Sequence, residues 1–417
     1  MWLGTGILCL LCVAVLHGQQ KLTLREVVEE ALRNNPELRV RRYDVSIAEA
    51  RVLQARLRPN PRLSVDGTYL DLLGAGFDPQ LSPAGPTEAV TGLSWELETA
   101  GKRRWRTLAA SEAAAAARQA FLDARRLLVL EVQNAYLNLA LARENVRTLQ
   151  EILETFDGVV KVNETRYQAG DIARLELMRS QVAALGFRNQ LRRAELKARQ
   201  EAIQLQRLMG RPAPSPEFDV AGEIRREGPP GDLESLTAAA LEARPDREAL
   251  RRELRRAEAE VEFQQALARP NLDLGVAHHK QFVGSLPGQS LSLRLEVPLP
   301  LWNRNQGEIE RALRERDQAA ARLRALEQQI RSEVAWAWEQ HQTARQLLES
   351  MEVEMIGQAR RVRDIIEFSY RRGEASFLDL LDAQRTFWET MQAYNEARVE
   401  YARTLYLLDA IVAREAP

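Results

Sequence analysis

Cysteine is almost missing from this chain: two, Cys9 and Cys12, occur in 417 residues, both inside the N-terminal segment. Neither has the small-residue context of a lipid-attachment site. Once that segment is removed, no thiol, disulfide or acyl anchor is expected. Histidine is equally scarce, with four residues. His278 and His279 are adjacent on an alternating stretch and so face opposite ways, and His341 is remote, which leaves no metal-ligand spacing and no bound cofactor to expect. No phosphate-binding glycine loop and no nucleophile constellation occurs, so the reading is not of an enzyme, and any energy must come from a partner. Charge excess is missing too. The 58 basic and 59 acidic residues nearly cancel, which argues against nucleic acid binding and against an acidic tail. The apolar run from Leu3 to Leu16 falls short of the ~20 residues a spanning helix needs. Residues 1–18 read instead as a secretory signal peptide cut after Gly18, although no Lys or Arg precedes the run.

What the chain does have is a duplication. The segment from Thr23 to Pro36 aligns with that from Asp232 to Pro245, and the register continues without a gap to Pro61 and Pro270. It returns where Tyr167-Gln168-Ala169-Gly170-Asp171 answers Tyr370-Arg371-Arg372-Gly373-Glu374. A repeat this long makes the half-chain the structural unit. Residues 19–210 form the first repeat, 211–231 a connector rich in Pro and Gly, 232–412 the second repeat and 413–417 a tail.

Most of each repeat favours helix. Thr23 and Glu26 form a capping box, and Pro36 starts a second helix that Pro59-Asn60-Pro61 ends near Leu57. From Arg103 to Tyr167 there is no proline, so one helix could reach ~95 Å at 1.5 Å per residue. Within it Leu128, Val132, Ala135, Leu139, Ala142, Val146, Leu149, Leu153, Phe156 and Val160 alternate steps of four and three. That is a packing seam, and Leu380, Phe387, Met391, Tyr394, Tyr401, Leu405 and Leu408 keep the same period. Long helical hairpins are therefore expected at about 101–210 and 303–412.

Four stretches switch to period two: Leu63 to Tyr69, Leu93 to Leu97, Leu272 to Val276 and Leu291 to Val297. They form two hairpins, at about 62–98 and 271–298, across loops at Leu72–Thr87 and Gly284–Gln289. One face is apolar and the other charged, as in a membrane-spanning strand; an amphipathic sheet packed on the helices would show the same alternation. Four strands in lipid leave open edges at several kcal/mol per unsatisfied group, so they must close with strands of other chains. Two chains would give about eight strands and three about twelve, and only the wider ring leaves an appreciable aqueous bore.

The chain resembles the TolC-type outer membrane efflux proteins over residues 21–412. The resemblance rests on the two-fold order of short helices, hairpin and long helical hairpin, on Pro-Asn-Pro at 59–61 and Arg-Pro-Asn at 269–271, and on the two Tyr-x-x-Gly-acidic turns. Glu98-Thr99-Ala100-Gly101-Lys102-Arg103-Arg104 and the stretch from Pro298 to Gly307 resemble the cobalt-zinc-cadmium resistance branch. The fold this implies is mainly α with a small β part: long helical hairpins form a trimeric helical barrel, and four strands per chain join a shared twelve-stranded transmembrane β-barrel. A homotrimer in the outer membrane is implied, with a large periplasmic portion, contacts to outer membrane lipid, a periplasmic adaptor (membrane fusion) protein and a proton-driven inner-membrane pump. The duct would be passive and would conduct what the pump delivers, metal cations among the candidates. The resemblance also implies a periplasmic gate at Asp379, Asp382, Tyr370 and Glu176, and adaptor-contacting tips at Tyr167, Ala169, Gly170, Asp171, Arg372, Gly373 and Glu374. In the family a tyrosine and an arginine tie the tips. Tyr370 matches the tyrosine and Glu176 an acidic partner, whereas Ala375 stands where the arginine would be, with Arg371, Arg372 or Arg174 as substitutes. Asp379 and Asp382 could equally complement a helix N-terminus. Lys102, Arg103, Trp105 and Trp302 suit a membrane interface, or a solvated basic helix start. A periplasmic coiled-coil scaffold or adaptor, a type I secretion duct and a metal-sequestering protein are the competing readings, the last poor in ligands.

Overall fold

The computed structural model describes residues 21–68, 70, 87–222, 224–228, 231–283 and 286–414; the expected signal peptide, Tyr69 and nearly all of the loop at Leu72–Thr87 lie outside them. The first repeat runs α1 (Leu24–Asn34), α2 (Pro36–Arg56), β1 (Arg62–Thr68), β2 (Thr87–Leu97), α3 (Lys102–Ala169) and α4 (Arg174–Leu208). The second runs α5 (Leu233–Ala243), α6 (Pro245–Leu267), β3 (Leu272–Val283), β4 (Leu286–Glu296), α7 (Gln306–Ser350), a π-helical turn at Met351–Met355, α8 (Ile356–Arg372) and α9 (Phe377–Ile411). Each repeat opens on a reciprocal cap: the Thr23 backbone N–H donates to Glu26 Oε2 (2.8 Å), and the Asp232 backbone N–H donates to Ser235 Oγ (3.0 Å). Both caps satisfy amide groups that a helix start leaves orphaned.

Two differences from the sequence reading concern the second repeat. β4 starts at Leu286, so the expected loop Gly284–Gln289 is mostly strand. The π-helical turn between α7 and α8 carries no proline that would mark it. Its Glu352 accepts from Arg226 Nη2 of the connector (2.9 Å) and from the Tyr394 hydroxyl of α9 (3.0 Å), so all three side chains meet at the turn.

The four strands form one antiparallel sheet in the order β1-β2-β3-β4. Its cross-strand rows separate by polarity. One face carries Leu97–Leu272, Trp95–Leu274–Leu295, Leu63–Leu93–Val276–Leu293 and Val65–Thr91–His278–Leu291. The other carries Glu96–Asp273–Glu296, Arg62–Ser94–Gly275–Arg294 and Asp66–Val90–His279–Ser290. The apolar face is open: Leu293 is 84% exposed and Val65 73%. From Leu97 to Thr91 the apolar rows cover roughly 20 Å at about 3.4 Å per residue, close to the ~25 Å apolar band of an outer-membrane barrel. Among the described residues no helix is long and apolar enough to cross a membrane.

The chain packs as two compact units, each drawing on both repeats. One comprises Met1–Arg39, Arg125–Ala240 and Ser332–Pro417; the other comprises Val40–Ala124 and Leu241–Arg331. In the first unit the predicted seam is the core: Leu139, Leu149 and Phe156 are fully buried, as are Leu380 and Leu405 of α9. The seam therefore finds its partner helices within the chain. In the second unit α3 is tied to α2 through Arg118 to Glu49 (2.6 Å) and Thr107 Oγ1 to the Ala55 carbonyl (3.2 Å).

The end of α4 turns back onto the end of α1 through Asn35, whose Nδ2 donates to the Leu208 carbonyl (2.9 Å). Gly210 makes this approach possible. Its φ is 75°, and a Cβ there would sit 2.4 Å from the Asn34 carbonyl oxygen. Gly210→Ala is expected to cost about 2 kcal/mol or more, from left-handed strain together with a backbone clash. Thermal unfolding followed by circular dichroism checks this, with Gly186→Ala, which meets open space in a helix, as the neutral or stabilising control.

Candidate functional site

The two Tyr-x-x-Gly-acidic turns fold alike. In the first, the Gly170 N–H donates to the Tyr167 carbonyl (3.0 Å) and the Asp171 N–H to the Arg166 carbonyl (2.8 Å). In the second, the Gly373 N–H donates to the Tyr370 carbonyl (3.0 Å) and the Glu374 N–H to the Ser369 carbonyl (2.9 Å). These are Schellman caps, with both glycines in the left-handed region at φ 83° and 80°. Ala169, Asp171, Arg372 and Glu374 are exposed around them.

The tyrosines of the two turns differ. Tyr167 is 41% exposed, whereas Tyr370 is 3% exposed and its hydroxyl donates to Asn163 Oδ1 of α3 (2.7 Å). Asn163 is itself fully buried, and its Nδ2 has no partner among the described residues. The Arg166 guanidinium lies 6.0 Å from the Tyr370 ring centroid, and its Nη2 donates to the Arg371 carbonyl (3.1 Å). Arg166 thus places a cation beside the Tyr370 ring, where Ala375 offers none. Of the expected substitutes, Arg371 is engaged by Glu367 and Arg372 lies over the Phe368 ring at 4.2 Å. Beneath the turn, Phe377 meets Phe156 edge-on (6.4 Å between centroids) and Tyr370 in the same manner (6.3 Å). Burial, with a smaller contribution from the nearby Glu176 carboxylate, raises the Tyr370 phenol above its ordinary value.

Asp379 and Glu176 occupy the same position, the third residue of α9 and of α4. Their settings are unequal. Ser376 caps α9 reciprocally: its hydroxyl and its backbone N–H donate to Asp379 Oδ2 at 2.7 and 2.9 Å. Ala173, at the corresponding cap of α4, offers no side-chain acceptor, and Glu176 is left half-buried. The Ser376 bonds hold the Asp379 carboxyl below the usual carboxylate range. A depressed value means that the cap is fully charged above the ordinary carboxylate pKa and is lost only as pH falls through the lowered one. Asp382, one turn on, is exposed.

In the other unit, the root of the sheet gathers the residues expected at a membrane interface. Trp302 is 85% exposed and Arg103 is exposed, while Trp105 is half-buried under the Arg104 guanidinium at 5.0 Å. Lys102 departs from the expectation. It is 4% exposed, and its ammonium donates to the Arg269 carbonyl (2.6 Å) and to Asn271 Oδ1, so it pins the start of α3 to the end of α6. The reason is local: Asn271 also donates to Glu96 (2.6 Å), and an ammonium completes that buried polar set. On the polar face, His279 bridges Glu88 Oε1 (2.6 Å) and Ser292 Oγ (2.7 Å), joining β2, β3 and β4. Among the described residues no three His, Cys, Asp or Glu side chains are placed to hold a metal ion.

A sheet with one lipid-suited face, joined in sequence to paired long helices in each of two repeats, is the pattern that the family model for outer membrane efflux proteins matches over residues 27–211 and 236–414. The chain belongs to the outer membrane efflux protein family. It is accordingly an outer membrane protein and not an enzyme. Among its relatives is the cobalt-zinc-cadmium resistance protein CzcC of Cupriavidus metallidurans, 22% identical over 393 residues that cover 94% of this chain and 90% of CzcC. The solved structure of CusC, described by its conformational changes accompanying folding and transmembrane channel formation, superposes with a TM-score of 0.75 at 20% identity, covering 94% of this chain and 92% of CusC. The CmeC outer membrane channel of Campylobacter jejuni superposes with a TM-score of 0.76 at 19% identity, covering 93% of this chain and 85% of CmeC.

Asn163 and Arg166 were missed in the sequence. Both lie on the predicted helix, but nothing local marks which of its polar residues meet a turn some two hundred positions away. The hydrogen bond predicts a non-additive pair. Tyr370→Phe should cost about 1–2 kcal/mol by leaving both polar groups of Asn163 unmet, and adding Asn163→Leu should restore most of the loss. Thermal melts of the two variants that coincide would show that the Tyr370–Asn163 bond is not the interaction that holds the turn.

Proposed function

We propose that the chain is the exit duct of a tripartite efflux system: a homotrimer whose strands close a twelve-stranded barrel, and which passively conducts substrates that an inner-membrane, proton-driven pump delivers through a periplasmic adaptor. The observation that carries this reading is the four-stranded sheet, open at β1 and β4 and apolar on one exposed face. Apolar stripes left over on the helices support self-association. On α4, Leu175, Met178, Val182 and Leu185 are all more than half exposed at heptad spacing, and on α8 Val362, Ile365 and Phe368, three residues apart, are more than half exposed as well. The likeness to a cobalt-zinc-cadmium resistance protein supports divalent metal cations as cargo.

In this reading the turns around Tyr167, Ala169, Gly170 and Asp171, and around Arg372, Gly373 and Glu374, meet the adaptor. The gate comprises Asp379, Asp382, Tyr370 and Glu176. Three-fold symmetry makes each acidic position a ring of carboxylates, and a ring of one sign in a narrow bore favours cations. Tyr370, held by Asn163 and covered by Arg166, keeps α8 against α3 and so sets the aperture. Trp105, Trp302 and Arg103 anchor the sheet at the interface.

The test is electrical. In planar bilayers, Asp382→Asn and the double variant Asp379→Asn, Asp382→Asn should lower cation-over-anion permeability stepwise, several-fold in the double variant. The fold should survive, because a side-chain amide oxygen in place of the Asp379 carboxylate can still accept the Ser376 bonds. A reversal potential equal to wild type in the double variant would assign both carboxylates to the helix start alone.

A further inference from the structure

We infer that the cavity at the root of the sheet is a phosphate-group site of the size and charge of an anionic phospholipid headgroup. The inference rests on the reading that the apolar face of the sheet meets lipid. The cavity, about 710 Å³, lies between the end of α2, the end of β2 and the first turn of α3. Five cations line it, Arg56, Arg58, Lys102, Arg103 and Arg104, against the two carboxylates Glu96 and Glu98.

Those carboxylates are already engaged. Glu98 pairs with Arg106 through both oxygens (2.5 and 3.3 Å), and Glu96 accepts from Asn271 (2.6 Å) with Arg62 at 3.5 Å. Lys102 is engaged by the Arg269 carbonyl and Asn271. Arg56, Arg58, Arg103 and Arg104 remain, and among the described residues none of the four meets a carboxylate at ion-pair distance. Arg56 ends α2, where a cation suits the helix dipole, but Arg103 and Arg104 are placed unfavourably. The first turn of α3 holds no acidic residue, so Arg103 and Arg104 stand on the positive pole of a 68-residue helix, where an anion is stabilising and a cation is not. A phosphate in the cavity removes this conflict and answers four guanidinium groups whose planar forks match its oxygens.

Depth selects the source. Leu97, in the last apolar row of β2, lines the cavity, and so does Gly101, whose left-handed φ of 72° turns the chain beside the Trp105 ring. A basic cavity with an aromatic neighbour, directly below an apolar strand, has the composition of headgroup level.

Native mass spectrometry of the purified protein in neutral detergent tests the inference, with phosphatidylglycerol, phosphatidylcholine and inorganic phosphate added separately. Phosphatidylglycerol should remain bound through activation, up to one per chain. It should bind about tenfold more weakly to the Arg58→Gln, Arg103→Gln variant, and with intermediate strength to Arg58→Lys, Arg103→Lys, which keeps charge but loses the fork. The assembly mass in the same spectra reports folding. Arginine-dependent binding of inorganic phosphate without phosphatidylglycerol would keep the phosphate site and exclude lipid as its source. Equal retention of phosphatidylcholine, or phosphatidylglycerol binding unchanged in the glutamine variant, would overturn the site. Quenching of Trp302 fluorescence by brominated lipid reports separately on the interface reading, which stands if the tryptophan is quenched and no phosphate-bearing species binds.

Discussion

Backbone hydrogen bonding in lipid is the constraint on which the rest of this structure depends. Water cannot satisfy an N–H or C=O in the hydrocarbon layer, so a strand that faces lipid must have a neighbour on both sides. Within the chain β2 and β3 meet that condition and β1 and β4 do not. The alternation is otherwise that of a membrane strand, with Leu63, Leu93, Val276 and Leu293 in one row and Arg62 and Arg294 in the row that faces the other way. A chain built this way is a fraction of a barrel, and its strands have meaning only as part of a larger ring.

The helices follow the same logic with apolar surface in place of hydrogen bonds. The primary seam of α3 is consumed inside the chain, against α4, α8 and α9, where Phe156, Phe187, Phe377 and Leu380 are buried together. The second stripes on α4 and α8 remain exposed, and in water that surface is worth covering at roughly 25 cal/mol per Å². Sheet and helices thus each carry an unfinished edge. Strength of this kind is gained between chains.

Local chemistry made much of this legible. Thr23 and Glu26, the proline at 36, the period-two stretches and the Tyr-x-x-Gly-acidic turns all act within a few residues, and each produced the element it implies. The candidate site was less legible because its contacts are long-range. Tyr370 was singled out, but its acceptor Asn163 and the covering Arg166 depend on the axial register of α8 against α3, which no local spacing reports. The basic run that opens α3 marks Lys102 in the sequence as an interfacial cation. Its burial follows from Asn271, a residue of the other repeat that the sheet brings beside it. The π-helical turn likewise carries a long-range contact, with Arg226 and Tyr394 meeting on Glu352.

The central claim is that the sheet is completed by other copies of the chain, and stoichiometry tests it most directly. Native mass spectrometry of the protein extracted from outer membranes in a mild detergent should give a single species of three chains, dissociating only when the strands unfold. A monomer that stays folded in detergent, or a protein that leaves the membrane fraction without detergent, would contradict the account.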